Sequence, residues 1–176
     1  MRSDAALRLC RTGALLAWLV AAPALGQAVQ ENDLKAAFIF NFAVFTEWPQ
    51  DTLAGGAPIS LCASSGNPML LALGQLKDKM VNGHRVAVRE AGAPLRNCHV
   101  LLLDRGDRER WADIKRELGG ATVLTVSEDE AISVNGAVIA LSVDARRVGF
   151  DVDLRAARGA RLNLSSKLLR LARSAQ

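Results

Sequence analysis

Two uninterrupted apolar runs constrain this chain most: Cys98-His-Val-Leu-Leu-Leu103 and Ala121-Thr-Val-Leu-Thr-Val126. A strand with one wet face alternates apolar and polar residues. A run without alternation is the pattern of a strand covered on both faces, as in a mostly parallel sheet between helices. Ile59-Ser-Leu-Cys-Ala63 is a third short strand, and Arg85-Val-Ala-Val-Arg89 a fourth with clear alternation. Between them lie helical stretches, predicted from Pro68 to Lys79 and from Asp107, as cap, to Leu118, where Gly119-Gly120 ends the turn. A short helix is expected over Glu128 to Ser133. Strands alternating with helices predict an α/β fold: a single three-layer domain with a mostly parallel sheet of about six strands and helices on both faces. Ala137–Val143 and Val148–Asp153, joined by Asp144-Ala-Arg-Arg147, predict a C-terminal antiparallel hairpin. Two helical pieces follow, Leu154 to Arg158 and Ser165 to Ala172.

The aromatic residues are concentrated. Four of the five phenylalanines, Phe38, Phe40, Phe42 and Phe45, fall in one segment that ends at Trp48-Pro49. Leu34, Phe38, Phe42 and Phe45 recur at helical spacing, so a helix is predicted over Glu31 to Trp48 with that stripe buried. Asn32 or Asp33 would cap it and Pro49 would stop it.

Upstream, Arg2, Arg8 and Arg11 precede the apolar run Ala14–Ala22, and small residues follow to Gly26. That three-part layout predicts a secretory leader over residues 1–26 and one domain over 30–174. The leader carries three arginines and one aspartate, so without it the formal net charge falls from +4 to +2. No block of like charge remains to suggest a nucleic-acid partner. Cys10 leaves with the leader; Cys62 and Cys98 remain. In an oxidising compartment this even pair reads as one disulfide, the other reading being two separate buried thiols.

Catalytic patterns are scarce. His99 lies inside an apolar strand and reads as a core or edge histidine with a satisfied ring; His84 follows the Asn82-Gly83 turn and is expected to be solvated. Their spacing from the cysteines suggests no zinc site. The sequence has no Gly-x-Ser-x-Gly elbow, no dinucleotide glycine motif and no Walker lysine. No cofactor is expected. Asp151 and Asp153 share a strand face, and read as solvated or capping carboxylates more readily than as an acid–base pair. One strand-to-helix turn, Ser64-Ser65-Gly66-Asn67, offers backbone amides to an anion. This makes a small-ligand sensor, with its site at the carboxyl ends of the strands, the alternative to a protein-binding role.

The run Lys35-Ala-Ala-Phe-Ile-Phe-Asn-Phe-Ala-Val-Phe-Thr-Glu-Trp-Pro49 resembles the opening motif of the YfiR family. Further matches follow in order: Leu61-Cys62 with Gly66, Asn82-Gly83-His-Arg-Val86, Asn97-Cys-His-Val-Leu101, Leu124-Thr-Val-Ser127, Phe150-Asp-Val-Asp153 and Leu164–Ala172. The resemblance implies a periplasmic regulator, not an enzyme. Such a protein binds the periplasmic part of an inner-membrane diguanylate cyclase and represses cyclic di-GMP synthesis. It implies a homodimer, an outer-membrane lipoprotein as a second partner, and effects on biofilm. Cys62 and Cys98 match one disulfide of the family; a second pair has no counterpart, since residues 135–153 contain no cysteine. For such a role the expected contact residues are Phe40, Phe45 and Trp48, and Arg170 on the last helix.

Overall fold

The computed structural model describes residues 24–92, 94–145 and 147–176. The leader expected over residues 1–26 lies outside them, except that the backbone of its last three positions belongs to the first helix.

Helix α1 runs Ala24–Val44, so it begins earlier and ends sooner than Glu31 to Trp48. The early end has two causes. The Thr46 hydroxyl donates to the Phe42 carbonyl at 2.7 Å and closes the last turn. Thr46–Glu47 then pairs as strand β1 with Asn163–Leu164 far along the chain. Trp48 precedes a proline, which disfavours helical backbone at that residue. The buried stripe is also rotated from the predicted one. Ala36, Ile39, Phe42 and Ala43 are buried, while Leu34 is 43% exposed. Ile39 and Phe42 fill this seam between the smaller Ala36 and Ala43, while Phe38 and Phe45 lie half-buried beside it. Phe38 and Phe42 meet Phe150 edge-on, with centroids 6.3 and 4.8 Å away.

The parallel core comprises β2 (Ile59–Ala63), β4 (His84–Glu90), β5 (Val100–Leu103), β6 (Leu124–Ser127) and β7 (Ile139–Asp144). Its order is β4-β2-β5-β6-β7, so the first strand lies between the second and third. This is a doubly wound order, and the direction of winding reverses between β2 and β5. Strand β8 (Arg147–Val152) forms the expected antiparallel hairpin with β7. Two short edge strands extend the sheet to eight: β3 (Met80–Val81) beside β4, and β10 (Ser174–Ala175) parallel to β8. Strand β9 (Asn163–Leu164) pairs with β1 apart from this sheet. Two-residue strands carry no periodic signal, which is why the sequence shows only the longer ones.

Alternation inside the apolar runs sorts the core into two layers. Leu61, Ala63, Val100, Leu102, Leu124 and Val126 pack with α1 and with α2 (Leu70–Gly74). Cys62, Leu101 and Leu103 face the other way, against Trp111 and Ile114 of α3 (Trp111–Leu118) and Ile132 of α4 (Glu130–Ser133). Helices thus cover both faces, as the sequence requires.

Helix α2 is shorter than Pro68 to Lys79 because the chain after Gly74 turns back toward β4. The Asp78 amide donates to the Val86 carbonyl at 3.0 Å, and the Val86 amide to the Lys79 carbonyl at 2.8 Å. The cap expected at Asp107 is supplied earlier, by Asp104, which opens a 3-10 turn over Arg105–Asp107. Helix α3 ends at Gly119, whose left-handed φ of 52° suits a residue without a Cβ. Asp153 caps α5 (Leu154–Gly159), accepting from the amides of Arg155 and Ala156. Ser165 caps α6 (Ser166–Leu171) through the Leu168 amide.

Candidate functional site

Ligands of doubly wound sheets bind outside the carboxyl ends of the strands, where the winding reverses. Here that point lies between the loop Ser64-Ser65-Gly66-Asn67 after β2 and the turn Asp104–Asp107 after β5. The Ser64 hydroxyl spans it, donating to Asp107 Oδ1 at 2.5 Å. Asp107 is only 1% exposed, and its second oxygen accepts from the Asp104 amide at 3.1 Å. Gly66 takes a positive φ of 80° to turn the loop. Asn67 is buried: its side-chain oxygen accepts from the Met69 amide at 2.8 Å, while Nδ2 has no partner among the described residues. Ser65 is exposed at the mouth.

Beneath the loop lies a cavity of about 170 Å³. Its apolar wall is Leu95, Leu101, Leu103 and Ile114, and its polar rim is Ser64, Ser65 and Arg110. The Cys62–Cys98 disulfide, with Cα atoms 5.9 Å apart, lies in the same core layer as this wall. It ties β2 to the segment leaving Leu95, so the pairing expected from the sequence also braces the cavity. Arg110 was missed in the sequence, because a lone arginine between charged neighbours reads as a solvated face.

On the far side of the rim, Lys35 of α1 reaches Glu128 beyond β6 at 2.7 Å and Glu31 at 2.8 Å. Burial alone would lower the Lys35 pKa, but its hydrogen bonds to Glu128 and Glu31 outweigh that and hold it above the ordinary lysine value.

A larger trough of about 540 Å³ lies on the hairpin side of the sheet, where α4, a single turn, leaves outward residues of β7 and β8 uncovered. Asp151 stands in it, paired with Arg173 and accepting from the Ser174 hydroxyl at 2.9 Å. Burial would raise the Asp151 pKa; the bonds from Arg173 and Ser174 overcome this and hold it below the usual carboxylate range. Asp153, which also lines the trough, is committed to the α5 cap. Both carboxylates weighed for acid–base chemistry therefore serve the fold. Among the described residues no group of three or more His, Cys, Asp or Glu side chains is arranged to hold a metal.

The four residues expected at a protein contact have different surroundings. Phe40 is half-buried in a groove between α1 and α2, with Lys79 Nζ 5.8 Å over its ring. Phe45 is half-buried and its carbonyl accepts from the Ser165 amide at 2.9 Å, beside the start of α6. Trp48 meets His99 edge-on at 6.3 Å, and its indole N–H is buried without a partner among the described residues. Arg170 is exposed on α6. His99 is half-buried just before β5, and both its ring nitrogens have backbone partners, as expected of a core or edge histidine. His84 is not simply solvated: its Nδ1 donates to the Ala57 carbonyl at 2.8 Å.

These features define a disulfide-braced, doubly wound α/β module with an antiparallel extension. The chain belongs to the YfiR/HmsC-like family, whose profile matches residues 32–173. It also shares its fold with a crystal structure of a conserved domain protein from Vibrio cholerae O1 biovar El Tor str. N16961, at 12% identity and a TM-score of 0.51. That similarity covers 82% of this chain and 60% of the other, so this chain spans less than two thirds of its neighbour's length. A search among curated proteins found no match.

Proposed function

We propose that this protein is exported to the periplasm, binds the periplasmic part of an inner-membrane diguanylate cyclase and represses cyclic di-GMP synthesis. The observation that carries this reading is membership of the YfiR/HmsC-like family over residues 32–173. The Cys62–Cys98 disulfide supports an oxidising compartment. Among the described residues no helix is long and apolar enough to cross a membrane. Asp151 and Asp153, each held by a structural partner, support a role without bond-making. A homodimer, and an outer-membrane lipoprotein that competes for the protein, complete the proposal.

The test is genetic. Deleting the gene in its own host should raise cyclic di-GMP and biofilm, and deleting the cyclase as well should restore the basal level. Unchanged cyclic di-GMP in the single deletion, with the cyclase expressed, would remove this function.

A further inference from the structure

We infer that the surface formed by α6 and the start of α5 docks on anionic phospholipid headgroups. Charge is unevenly placed along the chain. Residues 154–176 hold six of its 22 basic residues and none of its 18 acidic ones. Residues 27–153 hold 13 basic and 17 acidic residues, so the positive excess outside the expected leader lies in the last 23 positions. The six cations, Arg155, Arg158, Arg161, Lys167, Arg170 and Arg173, are never adjacent, which is why no block of charge shows in the sequence. Such an asymmetry points to a polyanionic partner.

Folding brings the two ends of this segment together. The Leu154 amide donates to the Gln176 carbonyl at 2.6 Å, so α5 starts beside the strand that follows α6. Arg155 and Arg173 line the same trough. On α6 Leu168 is buried, and Lys167, Arg170 and Leu171, spaced as neighbours on a helix surface, face solvent. The carboxylates that reach the segment are engaged: Asp51 with Arg161, Asp151 with Arg173, Glu47 with Asn163, and Asp153 at the α5 cap. Arg155, Arg158, Lys167 and Arg170 are exposed and have no ion-pair partner among the described residues. Leu171, beside Arg170, is 69% exposed. An anionic leaflet suits this combination. Long cationic side chains reach phosphates without a fixed geometry, and a protruding leucine enters the acyl boundary. A folded acidic partner would need a pocket for Leu171 and carboxylates in register with separate cations. A nucleic acid offers Leu171 no apolar layer.

The inference does not rest on the regulatory proposal, because it is read on the purified chain and protein-free vesicles. Co-sedimentation is measured with vesicles of phosphatidylcholine alone and with phosphatidylglycerol added. Binding is expected only to the anionic vesicles, and should be lost at about 1 M salt, where the screening length is about 3 Å. Each cation near such a surface is worth about fivefold in partitioning, so Lys167→Gln with Arg170→Gln should weaken binding about 25-fold. Leu171→Ser should weaken it several-fold. Lys77→Gln with Arg96→Gln, which removes two exposed cations outside this surface, should change it little. Every residue replaced is exposed, so these variants are expected to fold. Equal binding to both vesicle types, no binding to anionic vesicles at low salt, or equal losses in the two double variants would each overturn the inference. No vesicle binding by the parent, with cyclic di-GMP repression lost in Lys167→Gln with Arg170→Gln, would overturn it and assign the surface to an acidic protein.

Discussion

The Ser60 amide donates to Nδ1 of His99 across 3.0 Å, joining the start of β5 to β2 through a histidine ring. The other ring nitrogen then carries the proton and faces the Thr52 carbonyl at 3.4 Å. The geometry fixes a neutral ring, because protonated Nδ1 would point one N–H at another. Burial lowers the His99 pKa below 6.5, and the charge of Arg89, with a contribution from His84, lowers it further, against the bond to Thr52.

A pH dependence follows from that ring. In the unfolded chain His99 gains a proton near the ordinary value of 6.5, whereas in the folded chain it does so only at lower pH. Unfolding therefore takes up a proton as pH falls through this window, and stability declines. The stability this group contributes is fully present above 6.5. Asparagine places an oxygen where Nδ1 stands, keeps the acceptor for Ser60 and does not titrate. Urea midpoints measured from neutral to mildly acid pH should fall less steeply in His99→Asn than in the parent. Parallel slopes would show that this ring is not the cause.

The disulfide closes a loop with a sequence separation of 36. In the chain-entropy account such a loop is worth about 4 kcal/mol. Replacing Cys62 and Cys98 together by alanine should lower stability by about that amount in urea unfolding. Reduction of the parent should lower it similarly. A loss well under about 1 kcal/mol would mean that the unfolded chain is already compact.

Phe42 and Phe40 lie on the same helix and should respond very differently. Phe42 is 1% exposed and meets both Phe38 and Phe150, so Phe42→Ala should cost about 3–5 kcal/mol. Phe40 is half-buried at a groove edge, so Phe40→Ala should cost about 1–2 kcal/mol in the same assay, scaled to its smaller burial. If Phe40 contacts the membrane partner, its variant will remain folded yet fail to repress cyclic di-GMP. Normal repression would assign Phe40 to packing alone.

Lys35 and Glu128 make a part-buried pair that holds α1 to the carboxyl rim of the sheet. Lys35→Met leaves the Glu128 carboxylate without its cation and should cost about 1–3 kcal/mol at neutral pH. Because the folded pKa of Lys35 is raised above 10.5, its contribution is present below that value. It disappears as pH rises through the folded pKa. Calorimetric melting temperatures at neutral and strongly alkaline pH should converge between the parent and Lys35→Met.

The sequence shows the sheet more clearly than the helices around it. The bounds Ile59–Ala63 agree with the structure, and the hairpin stands where expected. The Leu34–Phe38–Phe42–Phe45 stripe failed because it weighted large apolar residues. The buried seam holds Ala36, Ile39, Phe42 and Ala43, so small residues share it with large ones. The Ser64–Asn67 turn was visible as a strand-to-helix loop. Arg110 and Asp107, from a distant part of the chain, become its neighbours only after β5 pairs with β2.

By itself the sequence determined a two-faced sheet and its family resemblance, because alternation, spacing and motif are local properties of the chain. The tertiary structure alone decided where α1 ends, which face of it is buried and which side chains surround the cavity. Those depend on contacts between segments such as Thr46 and Leu164, paired across 118 positions, and a residue's neighbours over that distance are set by packing, not by order along the chain.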